Sequence, residues 1–372
     1  MVSAPSPAAR VDRARAKPVH VVGPRWNDLR LRVSAVILTV QVLGQTVLGF
    51  KVSIAQILVC IGLCGVVDVA VTFRQKHSVV WPGSGLLTGN GVAFVLRAAG
   101  TRHGDWWSLH GIQYFVLACS FALLSKYLIR PGGRHVFNPS NIGVVAALLV
   151  IGPKHVFPQY LWWGPVGTPV LMAYAVILLG AAWVLRAVRM VPMALSFLAP
   201  FGVLVGVFAV SGRSFVAIWH AGPISGAAYW SDIFMSPELL IFVFFMMSDP
   251  QTAPKGGSGR MIYGAATAVV AAALLFFQPT EFGIKLAILS SLTLTCATVP
   301  LIERLSQKQR SVPAGRPARL RPRAYKLATG ALNPAIAAVV IIAVAAPADT
   351  AALARNHQLI NIERGLTTKN PQ

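Results

Sequence analysis

Two polar passages that contain Gly and Pro interrupt a largely apolar sequence, and they hold the side chains best suited to bind a ligand. The first is Gly133–Asn141 (GRHVFNPSN). The second is Ser248–Pro250 (SDP), which is followed by Gly259–Gly264 (GRMIYG). Interrupted backbone of this kind is tolerated at membrane depth only where protein or water satisfies its polar groups. The two passages therefore predict a binding site rather than a scaffold.

The first passage is predicted to begin a half-helix. The apolar run from residue 138 to 152 spans about 22 Å as a helix, which is short for a hydrocarbon core of about 30 Å. Asn138 and Ser140 are typical capping residues, and Pro139 fits the first helical turn. The free amides of such a helix start can bind an anion, a phosphate or a reduced flavin ring, and Arg134 would add positive charge. Alternatively, Arg134 is an ordinary loop charge and Asn138 only caps the helix.

Asp68 is the clearest ionisable residue inside an apolar run, at residues 65–71 (GVVDVAV). A carboxylate at mid-bilayer costs at least about 2.5 to 3.5 kcal/mol unless it is paired or hydrated. It is interpreted either as a proton or cation relay, or a cofactor contact, or as a structural hydrogen-bond acceptor for a neighbouring span. Lys126, near the end of another apolar run, is expected to extend to the lipid headgroups.

All four cysteines lie in apolar runs, at Cys60, Cys64, Cys119 and Cys296. Cys60 and Cys64 are one helical turn apart and could supply two thiolates to a metal. Because a second pair at ligand spacing is missing, the interpretation as small buried hydrophobes is preferred. The sequence predicts neither a metal site nor a disulfide framework.

The composition indicates the elements that position these residues. The chain is 55% hydrophobic and 12% charged, and its mean hydropathy is +0.63. This predicts an all-α, polytopic membrane protein of about 10 to 11 transmembrane helices, some of them broken or half-length. The candidate spans are 33–50, 52–73, 83–98, 109–129, 138–152, 167–186, 191–211, 238–247 with the segment before it, 261–277, 283–302 and 331–346.

The positive residues behind the net charge of +22 are distributed as expected for a membrane protein rather than for a nucleic-acid-binding protein. If the N-terminus is cytoplasmic, 24 of the 33 Lys and Arg fall on the cytoplasmic side, as the positive-inside rule requires. The sequence thus predicts a multi-pass plasma-membrane protein that contacts lipid headgroups; nucleic-acid binding is not expected, since interleaved aromatic residues are missing. The predicted regions are a basic disordered cytoplasmic tail (1–32), a membrane domain (33–303), a basic cytoplasmic loop (304–330), an additional transmembrane helix (331–346) and a C-terminal tail (347–372).

A Gly- and Pro-containing break precedes each Gly-Arg motif, at Trp81–Gly89 and at Gly222–Gly226. Corresponding interruptions in two halves are typical of an internally duplicated membrane fold with its site at the repeat interface. The sequence therefore predicts two related halves.

The two passages resemble the signatures of the RnfD/NqrB family, with Phe244–Met247 preceding Ser248–Pro250 and Tyr263-Gly264 completing the second signature. These proteins are membrane subunits of the Rnf electron-transport complex and of the sodium-translocating NADH:quinone reductase. The resemblance covers roughly residues 35–303. It implies about ten helices in two halves, an association with flavin and with other membrane redox subunits, and electron transfer coupled to cation movement.

The chain departs from the family in its flavin attachment motif. Members with covalent FMN use the threonine of a Ser/Thr-Gly-Ala-Thr motif, whereas Ser225–Ala228 (SGAA) ends in alanine, which has no oxygen for a phosphoester. Thr168 in Gly167–Pro169 is the nearest substitute, but the acidic residue expected upstream is missing between Asp105 and Asp232. Covalent FMN is therefore not expected, and noncovalent FMN or riboflavin remains the candidate cofactor.

Trp81–Ala93 and Leu123–Arg130 resemble a divergent, stand-alone branch that includes the UnbU-type membrane proteins of enediyne antibiotic gene clusters.

Two functions remain open. In the first, the chain is a redox subunit in which Asp68 relays a proton or cation. In the second, it is a transporter or export protein for a small polar or anionic substrate that kept the fold without the flavin. The predicted cofactor-binding residues are Arg134, Asn138, Ser140, Thr168, Asp249 and Arg260.

Overall fold

The computed structural model describes residues 20–130 and 133–308. Most of the predicted tail 1–32, all but the first five residues of the loop 304–330, the additional helix 331–346 and the tail 347–372 lie outside the described residues. Within the described residues, six helices are long and apolar enough to cross a membrane, and two shorter apolar helices accompany them. The predicted all-α polytopic fold is confirmed.

The first half of the chain forms five helices, each at a predicted span. They are α1 (Leu29–Thr46), α2 (Ile54–Lys76), α3 (Gly83–Val95), α4 (Ile112–Leu128) and α5 (Pro139–Ile151). Both α3 and α5 have only 13 residues, about 20 Å of helix. The predicted half-helix after Asn138 is therefore present.

The second half also makes five passes within the described residues, but its third pass is broken. The elements are α6 (Thr168–Val188), α7 (Val191–Val210), α8 (Gly226–Phe234), α9 (Pro237–Ile241), the π-helical segment Phe242–Met246, α10 (Gly257–Leu275) and α11 (Glu281–Lys308). Ser236 begins α9 by accepting a hydrogen bond from the Leu239 amide, 3.2 Å. Because five is an odd number, α6 runs opposite to α1, as an inverted duplication requires.

Three short two-stranded sheets tie the loops together at the two ends of the bundle. At the basic end, which also holds Arg134 and Lys255, β1 (His20–Val22) pairs in parallel with β2 (Ser78–Val80). At the opposite end, called the distal end, two antiparallel pairs form. They are β3 (Leu96–Ala98) with β4 (Val156–Pro158), and β5 (Ser214–Val216) with β6 (Pro223–Ser225).

Local capping explains where several helices begin. Asp28 accepts hydrogen bonds from the amide and the guanidinium of Arg30 at the start of α1. The hydrogen bond from the Arg30 guanidinium holds the pKa of the Asp28 carboxyl below its usual value. At α2, Ser53 and Gln56 form a reciprocal capping box. Asn138 caps α5 through the Asn141 amide, 3.2 Å.

Glycine lets two helix pairs pack closely. A Cβ on Gly89 of α3 would lie 2.1 Å from the Cys60 carbonyl oxygen of α2, and one on Gly264 of α10 would lie 2.4 Å from the Met193 carbonyl oxygen of α7. Small residues at such crossings allow backbones to approach inside a membrane. These contacts fix α2 against α3 in one half and α7 against α10 in the other.

Three basic side chains inside the predicted spans are buried. They are Arg97, Lys126 and Lys285, each at most 6% exposed. Each has a protein partner that offsets the loss of water: an aromatic ring for Arg97 and a carboxylate for both lysines.

Candidate functional site

The two polar passages meet at the basic end of the bundle. The Asn138 side-chain amide donates to the Met246 carbonyl, 3.1 Å, and joins the start of α5 to the end of the π-helical segment. The Arg134 guanidinium donates to the Gln251 carbonyl, 2.7 Å. The two signatures, more than 100 residues apart in sequence, therefore form one structural unit.

Asn138 is suited to this position because its amide has both a donor and an acceptor end. Its Oδ1 accepts from the Asn141 backbone amide at 3.2 Å and from the Ser140 hydroxyl at 2.9 Å. Its Nδ2 donates to the Met246 carbonyl. The π-helical segment supplies the other half of the contact, since its wider turn displaces carbonyls from the α-helical bonding pattern. The Ser248 hydroxyl donates to another of these carbonyls, on Phe244.

Arg134 and Arg260 hold the loop after Asp249 from two sides. Besides Gln251, Arg134 reaches the carbonyls of Pro250 and Ala253 at 3.4 and 3.5 Å. Arg260 donates to the Pro254 carbonyl at 3.1 Å. It also caps the end of α6 through two further carbonyls, those of Val188 and Arg189, where a positive charge is favoured. Both guanidinium groups therefore donate their hydrogen bonds to backbone carbonyl oxygens.

Asp249 organises the same loop. Its Oδ1 accepts from the Gln251 amide, 2.9 Å, as is usual for Asp in a turn. Its Oδ2 lies 3.9 Å from His135 Nε2, a second link between the two passages.

Deeper between α3, α5 and α11, buried polar atoms lack partners among the described residues. Asn141 donates to the Leu289 carbonyl at 2.9 Å and to the Thr293 hydroxyl at 3.0 Å, but its Oδ1 accepts no hydrogen bond. The same is true of Asn90 Oδ1 on α3 and of the Ser290 hydroxyl on α11. The three atoms lie on three helices, and α5 packs against both α3 and α11. Buried polar atoms are normally satisfied by protein, water or a ligand.

Asp68 is engaged in a three-helix contact. It accepts from Lys126 Nζ at 2.9 Å, from the Tyr127 hydroxyl and from the Gly85 amide at 3.0 Å. The carboxylate thus joins α2, the start of α3 and the end of α4. The expectation that Lys126 extends to the headgroups was wrong, because this buried carboxylate provides its charge partner.

Thr168 lies apart from the other predicted site residues. It is the exposed first residue of α6, at the distal end. Ser225–Ala228, the sequence in place of the flavin attachment motif, also lies at the distal end, where β6 leads into α8. The structure therefore groups Arg134, Asn138, Ser140, Asp249 and Arg260 without Thr168.

Sequence reasoning missed a buried ion pair between α9 and α11. Lys285 Nζ lies 2.5 Å from Glu238 Oε2, and the two side chains are 4% and 5% exposed. Two signals were available in the sequence. Ser236-Pro237 is a helix-start pattern inside a span, and Glu281 and Lys285 are four residues apart and so share a helix face.

Residues 158–311 match the model of the NQR2, RnfD, RnfE family. The matched region contains α6 to α11 and the second signature, so this part of the chain is similar to that family. Comparison with curated proteins found no match.

Proposed function

We propose that this chain is an RnfD/NqrB-type membrane subunit that binds a flavin or quinone ring noncovalently and takes part in electron transfer coupled to cation movement. Its place would be the plasma membrane, with the N-terminus in the cytoplasm and other redox subunits as partners. The observation that carries the proposal is the set of buried polar atoms of Asn90, Asn141 and Ser290 that have no partner among the residues described, with Asn141 itself part of the first signature.

These atoms have the hydrogen-bonding chemistry that the edge of a flavin ring needs. An amide oxygen such as Asn141 Oδ1 accepts from a ring N–H, and the Ser290 hydroxyl can donate to a ring carbonyl. A flavin bound there would supply one- and two-electron transfer. The protein would orient the ring through Asn141, which Leu289 and Thr293 already hold in place.

A phosphate fits less well. The anion site predicted at the start of α5 depends on Arg134, and Arg260 was expected to contribute, but both donate to backbone carbonyls. Moving either guanidinium to a phosphate would leave carbonyls without donors, which costs about 1 to 3 kcal/mol each where they are buried. The geometry therefore favours riboflavin or a quinone over FMN, and Ala228 offers no atom for covalent attachment.

The test is the cofactor content of the full-length protein purified in detergent. We expect the visible absorption bands of flavin, their complete release on acid precipitation, and riboflavin as the released species. Asn141→Leu should abolish the bands while the protein stays folded. The control Thr168→Ala should retain them, because Thr168 is at the distal end.

A colourless but stable wild-type protein would contradict a flavin site. A quinone site would then have to be shown by extraction and identification of the quinone, and its absence would leave the transporter function. One observation favours that second candidate: the third pass of the second half breaks at Ser236-Pro237 and places Glu238 inside the membrane span. Broken helices of this kind build substrate sites in transporters.

We further propose that the chain belongs to the stand-alone branch of UnbU-type proteins and serves an enediyne-type biosynthetic setting. The support is the resemblance of Trp81–Ala93 and Leu123–Arg130 to that branch. The genes beside the coding sequence test this proposal. Genes for Rnf-type partner subunits there, rather than biosynthetic genes, would contradict it.

A further inference from the structure

A group of charged side chains lies buried toward the distal end, apart from the joined signatures. At its centre, Lys285 of α11 donates to Glu238 of α9. The helix break at Ser236 matters here, because α8 has only two buried residues, whereas most of α9 and all of the π-helical segment are buried. The chain therefore turns into the protein interior just before Glu238.

The ion pair is incompletely satisfied. Glu238 Oε1 is buried and accepts no hydrogen bond from the part of the chain that the structure describes. The Trp163 indole N–H is close enough to act on this carboxyl group, but its hydrogen bond goes to the Tyr160 carbonyl, 3.1 Å. An ionised carboxylate with one oxygen that accepts no hydrogen bond is costly in a membrane interior. Ionisable residues in membrane interiors commonly belong to proton or ion paths.

Charges of alternating sign continue from the pair. Glu281, one helical turn before Lys285, accepts from the Leu161 amide at 2.6 Å and from the Trp219 indole at 2.9 Å. Arg97 stacks on the Tyr160 ring at 4.0 Å, and its Nη1 has no partner within residues 20–130 and 133–308. The charged groups that act on Lys285 besides Glu238 are Arg97 of β3 and Glu281 of α11.

The pair is better suited to a proton than to a metal cation. A sodium or other hard cation needs several oxygen ligands, but the ammonium of Lys285 already occupies one carboxylate oxygen and would repel the ion. A proton needs only one oxygen, since it forms an O–H bond on Oε1 and leaves the Lys285 contact on Oε2 intact. No electrons move in this step, and the proton comes from water and returns to it.

We propose that Glu238 and Lys285 form an intramembrane proton-binding site, and that the cation handled by this chain is a proton rather than sodium. The choice of a proton over sodium rests on the proposed coupling of the chain to cation movement. The assignment of the proton-binding site does not, because it concerns protonation of a carboxyl group whether or not a cofactor is bound.

The test is infrared difference spectroscopy of the full-length protein in lipid nanodiscs after a change of pH. We expect a carboxylic acid C=O band that responds to pH in the wild type and is lost in Glu238→Gln. Lys285→Met should show the C=O band in its absolute spectrum but not in its pH-difference spectrum, because a carboxyl group without its cationic partner stays protonated at both pH values. The control Asp105→Asn, at an exposed position of the distal end, should leave the wild-type response unchanged.

The site assignment is wrong if the band persists unchanged in Glu238→Gln. The choice of ion is wrong if radioactive sodium binds the wild type saturably and the double variant Glu238→Gln/Lys285→Met abolishes this binding. The double variant also guards against misfolding, since it removes both charges together and leaves neither one unpaired. Flavin is not part of these readouts, so a colourless protein with the expected band would refute the flavin proposal and support this one.

Discussion

Asn138 couples the two polar passages through a single side chain. It caps α5 with its oxygen and satisfies Met246 of the π-helical segment with its nitrogen. Asn138→Ala should lower the free energy of unfolding by about 2 to 4 kcal/mol, because a cap is worth about 1 kcal/mol and an unsatisfied buried carbonyl costs about 1 to 3 kcal/mol. Thermal unfolding in detergent measures this. Ser140→Ala, which removes one hydrogen bond to Asn138, is the control, and an equal loss in both variants would contradict the bridging role.

The Asp68–Lys126 pair gives a second prediction for single residues. Lys126→Met leaves a largely buried carboxylate without its charge partner and should destabilise the protein by on the order of 3 kcal/mol. Asp68→Asn/Lys126→Met removes both charges and should recover most of that loss. The same thermal unfolding assay compares the two variants. If the double variant is as unstable as the single one, packing of the lysine stem rather than the ion pair stabilises this site.

At the scale of elements, the start of α5 was predictable and the deeper contacts were not. Asn138-Pro139 determines a helix start through bonds to residues within one turn, so the sequence alone predicts it. The partners of Asp68 and Glu238 lie 58 and 47 residues away in sequence. They depend on how α4 packs on α2 and α11 on α9, and the signs of charge along one chain do not specify such packing. The ion-pair partners of Lys126 and Lys285 were therefore not predicted.

The packing of α3 on α2 provides a prediction at the same scale. Gly89→Ala would place a methyl group 2.1 Å from the Cys60 carbonyl oxygen, so the helices must separate, and we expect destabilisation of about 1 to 3 kcal/mol. Gly62→Ala, on an exposed face of α2 with no atom within 4 Å among the described residues, should change stability by less than about 1 kcal/mol. Equal unfolding temperatures for the two variants would show that α3 is not held tightly against α2.

At the scale of the whole molecule, the two ends of the bundle differ in the chemistry they present. The basic end holds Arg134 and Arg260 with the joined signatures, and the Glu238–Lys285 pair lies toward the distal end. If the N-terminus is cytoplasmic, a ring bound near Asn141 lies toward the cytoplasm and the proton site toward the opposite face. An electron-transfer partner at the basic end and a proton entry path at the distal end would then use different sides of the membrane.

That orientation can be measured by labelling single introduced thiols in intact cells. The native cysteines are all buried, so background labelling by a membrane-impermeant maleimide should be low. We expect Ser211→Cys, exposed at the distal end, to react in intact cells, and Lys255→Cys, exposed at the basic end, to react only after permeabilisation. The reverse pattern would place the basic end outside, contrary to the positive-inside rule. It would put the proton site toward the cytoplasmic side and a ring bound near Asn141 toward the opposite face.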